Sequence, residues 1–337
     1  MTLKNIFFPI TLTVFLIGCG NDPLDIDASG ITVDLGYEDV NTTFVKADSA
    51  TLLKEHQRYL SEITDVYQLE LGQFLQIGNV PDSEVYETIH AFVTDPYVAR
   101  LERRIQERFS DKSAIKTKLE DGFRHFKFHF PTQKTPKNIV FLNTLFQASA
   151  ASTEQEVGIG LERYLGDSTD VIQELRSREF YDWVLEAMDA QYLERDVLAS
   201  WIMSNVFDET ASGSLAESMI YWGKILYAVE ACFPNDPKHI IIRYSEEDYA
   251  WAQENEFAFW DYLVREKMLF KLDERTKMNM LGEGPFTPGL PEKGPDRLGQ
   301  YLGWQMVRAV NNDKEMKLSD LMKVPYNTIL QAYEIKD

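Results

Sequence analysis

The run Asn138-Ile139-Val140-Phe141-Leu142-Asn143 decides the fold class, because it is a short apolar segment with a clear β signal. A second β signal covers residues 156–165, and residues 31–37 alternate apolar and polar side chains as a half-buried strand does. From about Phe180 onward the pattern is almost entirely helical. This order predicts an α+β fold, mostly helical, with a small β-sheet in the N-terminal half and a helical C-terminal half.

Helices are also predicted between the strands. Two of them have good start signals, namely Asp48 before Ser49 and Asp95 before Pro96, since proline is tolerated in the first turn of a helix. The predicted helices cover about residues 49–64, 84–93, 96–109 and 114–128.

The N-terminus carries a lipoprotein signal. Lys4 precedes an apolar stretch over 12–18 that is typical of a secretory signal and too short to span a bilayer as a mature helix. Cys19 follows Leu-Ile-Gly directly, which resembles a bacterial lipobox, where cleavage before the Cys leaves it lipid-modified. The alternative is an ordinary signal peptide that happens to contain a Cys. The predicted organisation is a signal peptide over 1–18, lipidated Cys19 with a tether over 19–30, and a single domain over 31–337.

Composition limits the partners. The formal charge is −20, and loss of Lys4 with the signal peptide would make it one unit more negative. Such a surface repels phosphate backbones, so nucleic-acid binding is disfavoured and the lipid remains as the means of membrane attachment. Gly20, rather than an Asp, follows Cys19. By analogy with better-known lipoprotein sorting, this favours an outer-membrane location in the cell envelope.

Cysteine and histidine do not predict a catalytic centre. Cys232 has apolar neighbours and is expected to be a small buried hydrophobe, because Cys19 would be acylated and His239 lies across a Pro-bounded turn. His125 and His129 have i, i+4 spacing, but Phe stands where the Glu of H-E-x-x-H would act. They are therefore expected on a helix flank, and no metal or cofactor is predicted.

The segment 246–260 is acidic and aromatic, and a carboxylate pair beside Trp could indicate glycoside chemistry. Helical spacing favours a different interpretation, in which one apolar stripe faces the core and the acids cover the solvated side. The predicted stripe consists of Ala250, Phe257, Trp260, Val264 and Met268.

A helix over 212–230 has an apolar stripe, with Glu217 and Lys224 almost opposite it and Tyr221 beside Lys224. One interpretation is a solvated polar face with some ion pairing. The other is a surface for a partner, with Glu217, Tyr221 and Lys224 as the candidate partner-binding residues.

Two glycines, Gly299 and Gly303, lie four positions apart in a predicted C-terminal helix. Each costs about 1 kcal/mol relative to Ala in a helix interior. Their expected purpose is close approach of a neighbouring helix, since they share a face with Met306 and Val310.

Several stretches, taken in order, resemble the gliding-motility lipoprotein family GldB. They are residues 219–227, 243–247, 251–256, 284–287, 295–299 and 303–307. The resemblance is strong over about 180–330 and weaker over 31–180. It implies an envelope lipoprotein of Bacteroidetes-type bacteria, required for gliding and linked to the secretion apparatus that gliding uses, with other envelope proteins of that machinery as partners.

This family is in turn similar to zincin-like proteins, whose active helix carries H-E-x-x-H and whose third ligand is a Glu before a Gly on the next helix. The equivalent region here, 197–207, contains neither His nor Glu, and Trp222 precedes Gly223. The resemblance and these departures together imply a zincin-like fold without zinc.

Three hypotheses for the function follow. The first is a non-enzymatic lipoprotein that serves as a component or accessory factor of the gliding and secretion machinery. The second is an envelope hydrolase, either a protease with unusual ligands or a wall-polymer cleaving enzyme. The third is a substrate-binding lipoprotein with a pocket in the former cleft.

Overall fold

The computed structural model describes residues 23–175, 180–207, 213–290, 294–314 and 316–333. The predicted signal peptide and Cys19 lie outside these residues, and lipidation stays a prediction. Within the described ranges, no helix combines the length and the apolar character that crossing a membrane requires.

One mixed sheet forms the N-terminal half. Its strands are β1 Gly36–Asp39, β2 Asn138–Leu142, β3 Ala150–Ser152 and β4 Glu156–Gly160, in the order β1-β2-β4-β3. Strands β1 and β4 run parallel to β2, and β3 runs antiparallel to β4. The central β2 confirms the strand predicted from the apolar run.

The sheet separates two apolar cores. Alternate residues of β2 face opposite sides, so Val140 and Leu142 join one core while Ile139 and Phe141 join the other. The smaller core lies under the helices before residue 94, and the larger one includes the whole helical C-terminal half. The predicted α+β class, with a small sheet and a mostly helical chain, is confirmed.

The segment 31–37 was expected to be a strand throughout, but pairing begins only at Gly36, opposite Asn138. Upstream of Gly36 the described chain has no strand partner. Alternation of side chains therefore predicted too long a strand, because a strand also needs a neighbour for its backbone groups.

The second predicted strand, 156–165, is also too long. It ends at Gly160, and the chain turns into the 3-10 helix Leu161–Tyr164. This turn directs Glu162 inward, where its Oε1 accepts a hydrogen bond from the backbone N–H of Thr144 at 3.0 Å. The long-range contact overrides the local β pattern.

Seventeen α-helices complete the described part of the chain. In the first half they are α1 Val40–Lys46, α2 Ser49–Glu62, α3 Thr64–Leu69, α4 Val85–Val93, α5 Pro96–Arg108, α6 Ser113–His129 and α7 Asp170–Gln173. In the second half they are α8 Asp182–Glu186, α9 Leu193–Asn205, α10 Leu215–Cys232, α11 Lys238–Ile242, α12 Glu246–Glu254, α13 Glu256–Arg265, α14 Glu274–Leu281, α15 Leu298–Lys314, α16 Leu318–Leu321 and α17 Tyr326–Ala332.

The predicted helix starts are confirmed. The Asp48 carboxylate caps α2 by accepting the N–H of Thr51 at 2.8 Å, and the Asp95 carboxylate caps α5 by accepting the N–H of Tyr97 at 2.9 Å. The N-terminus of each helix is thus held by a side chain that the sequence places directly before it.

Helices α10 and α15 cross so closely that their backbones leave no room for a Cβ atom at the contact. A Cβ atom added at Gly303 would lie 1.8 Å from the carbonyl oxygen of Met219, and one added at Gly223 would lie 2.2 Å from the carbonyl oxygen of Gly303. At Gly299 the added atom would lie 2.8 Å from the carbonyl oxygen of Met280, on α14. The close helix approach predicted from the glycine spacing is confirmed.

The apolar stripe predicted over 250–268 is correct only in part. Met268 is buried and Trp260 packs against the larger core, as predicted, but Ala250 is exposed. Asn255 separates α12 from α13, so one helical phase does not run through the whole segment. Phe257 and Val264 are about half exposed, at 48% and 47%, whereas the residues that enter the core are Ala252, Phe259, Leu263 and Met268.

Candidate functional site

Helix α9 carries a buried carboxylate, Asp196, in its first turn. Its Oδ1 accepts a hydrogen bond from Nη1 of Arg195 at 3.0 Å. Its Oδ2 accepts one from the hydroxyl of Tyr164 at 2.9 Å and another from Nη1 of Arg243. Charge-assisted bonds of this kind are short and directional, so two guanidinium groups are held in defined orientations around one carboxylate.

Arg243 and Arg297 come from separate loops and meet at this site. Nη2 of Arg297 donates to the backbone carbonyl of Arg243 at 3.1 Å, and its Nε donates to Asp296 at 2.9 Å. Both arginines have left-handed backbone conformations, with φ of 60° and 53°. Non-glycine residues adopt this region at a cost, and such strained residues concentrate at ligand sites.

Arg163 brings a fourth guanidinium to the same place. Its Nε donates to the hydroxyl of Ser149 at 3.3 Å and its Nη1 donates to the carbonyl of Phe146 at 3.5 Å. We call these four residues the arginine cluster: Arg163, Arg195, Arg243 and Arg297.

The positive charges of the arginine cluster affect one another. Burial lowers the pKa of Arg163 and of Arg195, and the positive charge of Arg243 lowers both further, although Asp196 partly offsets this at Arg195. Burial also opposes the charge of Arg243, but Asp196, with Tyr164 and Glu283, raises the pKa of Arg243 overall. Cationic side chains are thus concentrated in a poorly hydrated place.

A cavity of about 510 Å³ lies against the arginine cluster, and we call it the α9 cavity. Arg195, Arg243 and Arg297 line it together with Asp196 and Glu283. The other lining residues come from the β3 edge, from α9 and α10, from the C-terminal end of α14 and from the first turn of α15. They are Ser149, Ala150, Ala199, Ser200, Met203, Ser204, Trp222, Leu281, Gly282 and Gln300.

Strand β3 and helix α9 are joined directly beside this cavity. The hydroxyl groups of Ser152 on β3 and Ser200 on α9 lie 2.8 Å apart in a hydrogen bond. In the described sheet β3 is an edge strand, and Ala150 at its start lines the cavity. The cavity is therefore bounded by a sheet edge on one side and by a helix face on the other.

The family model described as gliding motility protein GldB matches residues 21–336. The chain belongs to the GldB family. No curated protein and no solved structure matches this GldB-family chain. The predicted family is confirmed, and with it a relation to gliding motility.

The sequence-predicted partner residues of this GldB-family protein lie half-buried on α10. Nζ of Lys224 donates to the backbone carbonyls of Met322 and Val324 at 2.8 and 2.7 Å, and burial lowers the pKa of Lys224. Tyr221 packs against the ring of Trp222, a residue that lines the α9 cavity. Lys224 thus links α10 to the segment 322–324 through two hydrogen bonds.

Glu217, the third of these residues, lies in the first turn of α10, where its backbone N–H donates to the hydroxyl of Ser214 at 3.3 Å. The structure brings Glu217, Tyr221 and Lys224 together on one helix of the GldB-family chain. Their role in binding a partner stays a prediction.

Two of the five histidines of the family member, His125 and His129, are buried on α6. His125 Nδ1 lies 3.0 Å from the carbonyl of Asp121, and burial, with the charge of His125, lowers the pKa of His129 to about 4. Cys232 is a buried free thiol, as expected, and burial raises its pKa. Among the described residues, no group of three or more His, Cys, Asp or Glu side chains is arranged to hold a metal ion.

A second polar cluster of the GldB-family fold lies near the C-terminal end of β2. Burial raises the pKa of Glu70, Glu102 and Glu162, in the case of Glu102 to about 7. The charges of Glu162 and Glu102 raise the pKa of Glu70 further, and the charge of Glu162 also raises that of Glu102. Nδ2 of Asn143 donates to Glu102 at 2.6 Å, but one oxygen of each acid is unpaired within the described chain. Such oxygens suit protonated carboxyl groups.

Sequence reasoning did not assign the arginine cluster a role. Two of its members lie in stretches that carried the resemblance to the family, 243–247 and 295–299. The resemblance of these stretches to the family was the signal that could have drawn attention to them. Only the tertiary structure shows that they touch, because Arg243 and Arg297 are 54 positions apart.

Proposed function

We propose that this protein is a lipid-anchored envelope component of the gliding machinery and of the secretion apparatus associated with it, and that it acts by binding rather than by catalysis. The match of the GldB family model over residues 21–336 supports a role in the gliding machinery. The α9 cavity is a polar pocket at which several elements of the described chain converge.

The geometry of the α9 cavity supports a zincin-like ancestry for the fold. Helix α9 contains most of the region equivalent to the zincin active helix, and Trp222 stands where the third ligand would precede Gly223. The structure brings α9 and Trp222 to the walls of the same cavity. An antiparallel edge strand, β3, lies beside α9, as the hydrogen bond between their serines shows.

The side chains at these positions support binding rather than hydrolysis. The α9 residues on the cavity wall are Asp196, Ala199, Ser200, Met203 and Ser204. Asp196 is the one acid among these α9 residues, and its carboxylate accepts hydrogen bonds from Arg195, Arg243 and Tyr164. A general base needs a free lone pair near the reacting group, and this carboxylate accepts three hydrogen bonds from fixed donors instead.

The direct test is a clean deletion in the native host, scored for single-cell surface movement and for secreted protein in the medium. We expect loss of movement, of secretion or of both, restored by the intact gene. A complementing gene with Cys19→Ala should give protein that is released from the membrane and restores function poorly. Normal movement and normal secretion in the deletion strain would contradict the proposal.

A second measurement separates binding from hydrolysis. Metal analysis of the purified full chain is expected to give no stoichiometric zinc. One zinc per chain, removed by a chelator together with a hydrolytic activity, would instead favour the envelope hydrolase.

A further inference from the structure

The charges around the α9 cavity are not balanced. The arginine cluster contributes four guanidinium groups, whereas three carboxylates lie with it: Asp196 and Asp296, which pair with Arg195, Arg243 and Arg297, and Glu283, which lines the cavity. The surplus is one positive charge. Among the ion pairs of the described residues, Arg163 pairs with no carboxylate. Burying a cation without a counter-charge is expensive, so a surplus of this kind at a cavity favours an anion from outside.

The surplus is local. The whole chain has a formal charge of −20, and its general field repels anions. A positive pocket on such a chain therefore requires a specific arrangement. Arginines, with their planar forks of donors, suit carboxylate and phosphate oxygens particularly well.

The arginines are held in place before any ligand arrives. Arg195 Nε donates to the carbonyl of Ile241 at 2.7 Å, and Arg243 Nη2 donates to the carbonyl of Ala187 at 2.7 Å. These side chains are nearly buried, with 12% exposure each. Their rotamers are fixed by the fold, so little side-chain entropy remains to be lost on binding.

The rest of the wall indicates what kind of molecule would carry the anion. Hydroxyl groups of Ser149 and Ser200 supply neutral hydrogen-bond partners, while Leu281 and Trp222 supply apolar surface. A cavity of about 510 Å³ is larger than a single carboxylate or phosphate needs.

We propose that the α9 cavity binds an anionic group, a carboxylate or a phosphate, carried by a partly apolar ligand. This inference rests on the proposed function in one respect, namely that the protein acts by binding at the α9 cavity. The deletion phenotype and anion binding by the purified chain are separate measurements, so the failure of one leaves the other standing.

The test uses the purified full chain in non-ionic detergent, with thermal unfolding and calorimetric titration as readouts. Three probes are compared at matched ionic strength: inorganic phosphate, acetyl-trialanine with a free carboxylate, and the amide of the same peptide. Potassium chloride is the reference. We expect saturable stabilisation by phosphate or by the free-carboxylate peptide beyond that given by chloride. Which of these two probes stabilises the protein tells whether the cavity prefers a phosphate or a carboxylate group.

A matched pair of variants places the binding in this cavity. Ser204 is exposed on α9 and lines the cavity, so it tolerates substitution. Ser204→Asp puts a competing carboxylate beside the arginines and should weaken binding by at least about tenfold. Ser204→Asn, similar in size but neutral, should bind within about twofold of the wild type.

Two results would overturn the proposal. One is stabilisation by neither anion beyond chloride. The other is equal binding by the Asp and Asn variants. If Ser204→Asp fails to fold, Met203→Glu and Met203→Gln form a second pair on the same wall, since Met203 is 37% exposed.

Discussion

The crossing of α10 and α15 offers the sharpest test of the fold, through the substitution Gly303→Ala. The added Cβ would lie 1.8 Å from the carbonyl oxygen of Met219, a backbone atom that no rotamer change can move away. Carbon and carbonyl oxygen rarely approach closer than about 3.3 Å. The two helices must therefore separate by roughly 1.5 Å at this point.

That separation affects contacts on either side of the crossing. Trp304 Nε1 donates to buried Glu230 at 2.8 Å, and Asn311 Nδ2 donates to the hydroxyl of Tyr227 at 2.8 Å, both between α15 and α10. Overpacking costs about 1–3 kcal/mol, and weakening these hydrogen bonds adds about 1 kcal/mol each. Replacing Gly by Ala in a helix returns about 1 kcal/mol. The expected net loss in the free energy of unfolding is about 2–4 kcal/mol.

The assay is urea unfolding of the purified full chain, followed by tryptophan fluorescence, since Trp304 is buried at the crossing. Gly72→Ala is the matched control, because a Cβ at Gly72 meets nothing within 4 Å. We expect the control to be neutral or slightly stabilising. A Gly303→Ala protein as stable as the wild type would refute the close crossing and the cause assigned to it.

Three further predictions concern other buried groups. Burial raises the pKa of Glu102 from its ordinary value of 4.5 to about 7. The contribution of its protonated form to the free energy of unfolding is therefore fully present below about pH 4.5 and is lost as pH rises through about 7. Glu102→Gln should remove about 3 kcal/mol of that pH dependence, measured by unfolding between pH 4.5 and 8, and an unchanged profile would contradict it. Lys224→Met should remove the hydrogen bonds to the carbonyls of Met322 and Val324 and lower the free energy of unfolding by about 1–3 kcal/mol. Hydrogen exchange should become faster only in residues 316–333. Faster exchange throughout the chain would contradict the role of Lys224 in holding this segment. The Cys232 thiol, buried and with its pKa raised, should react with a maleimide only after denaturant is added, and rapid labelling of the native protein would show that it is accessible.

Local features of the fold could be read directly from the sequence. The apolar run over 138–142 forms the central strand, and Asp48 and Asp95 cap the helices that follow them. Caps and short apolar runs act over a few residues, so the information that decides them lies in the same few residues. The spacing of Gly299 and Gly303 likewise predicted a close crossing, although it did not identify α10 as the partner.

Predictions from side-chain periodicity failed where one pattern was extended past the end of a helix or strand. The stripe over 250–268 assumed one helix, and Asn255 divides the segment into two helices. The predicted strand over 156–165 failed for a related reason, because the inward turn of Glu162 depends on backbone donors of a different loop. In both segments a tertiary contact or a helix end overrode a local pattern.

By itself the sequence determined the class of the fold, the central strand β2, the positions of several long helices, the family, and the glycine faces that let helices touch. Only the tertiary structure decided the candidate site. Asp196 and Arg243 are 47 positions apart, and Arg243 and Arg297 are 54 positions apart. Charges that pair across such separations leave no periodic pattern, because their positions depend on how distant helices pack rather than on the residues beside them.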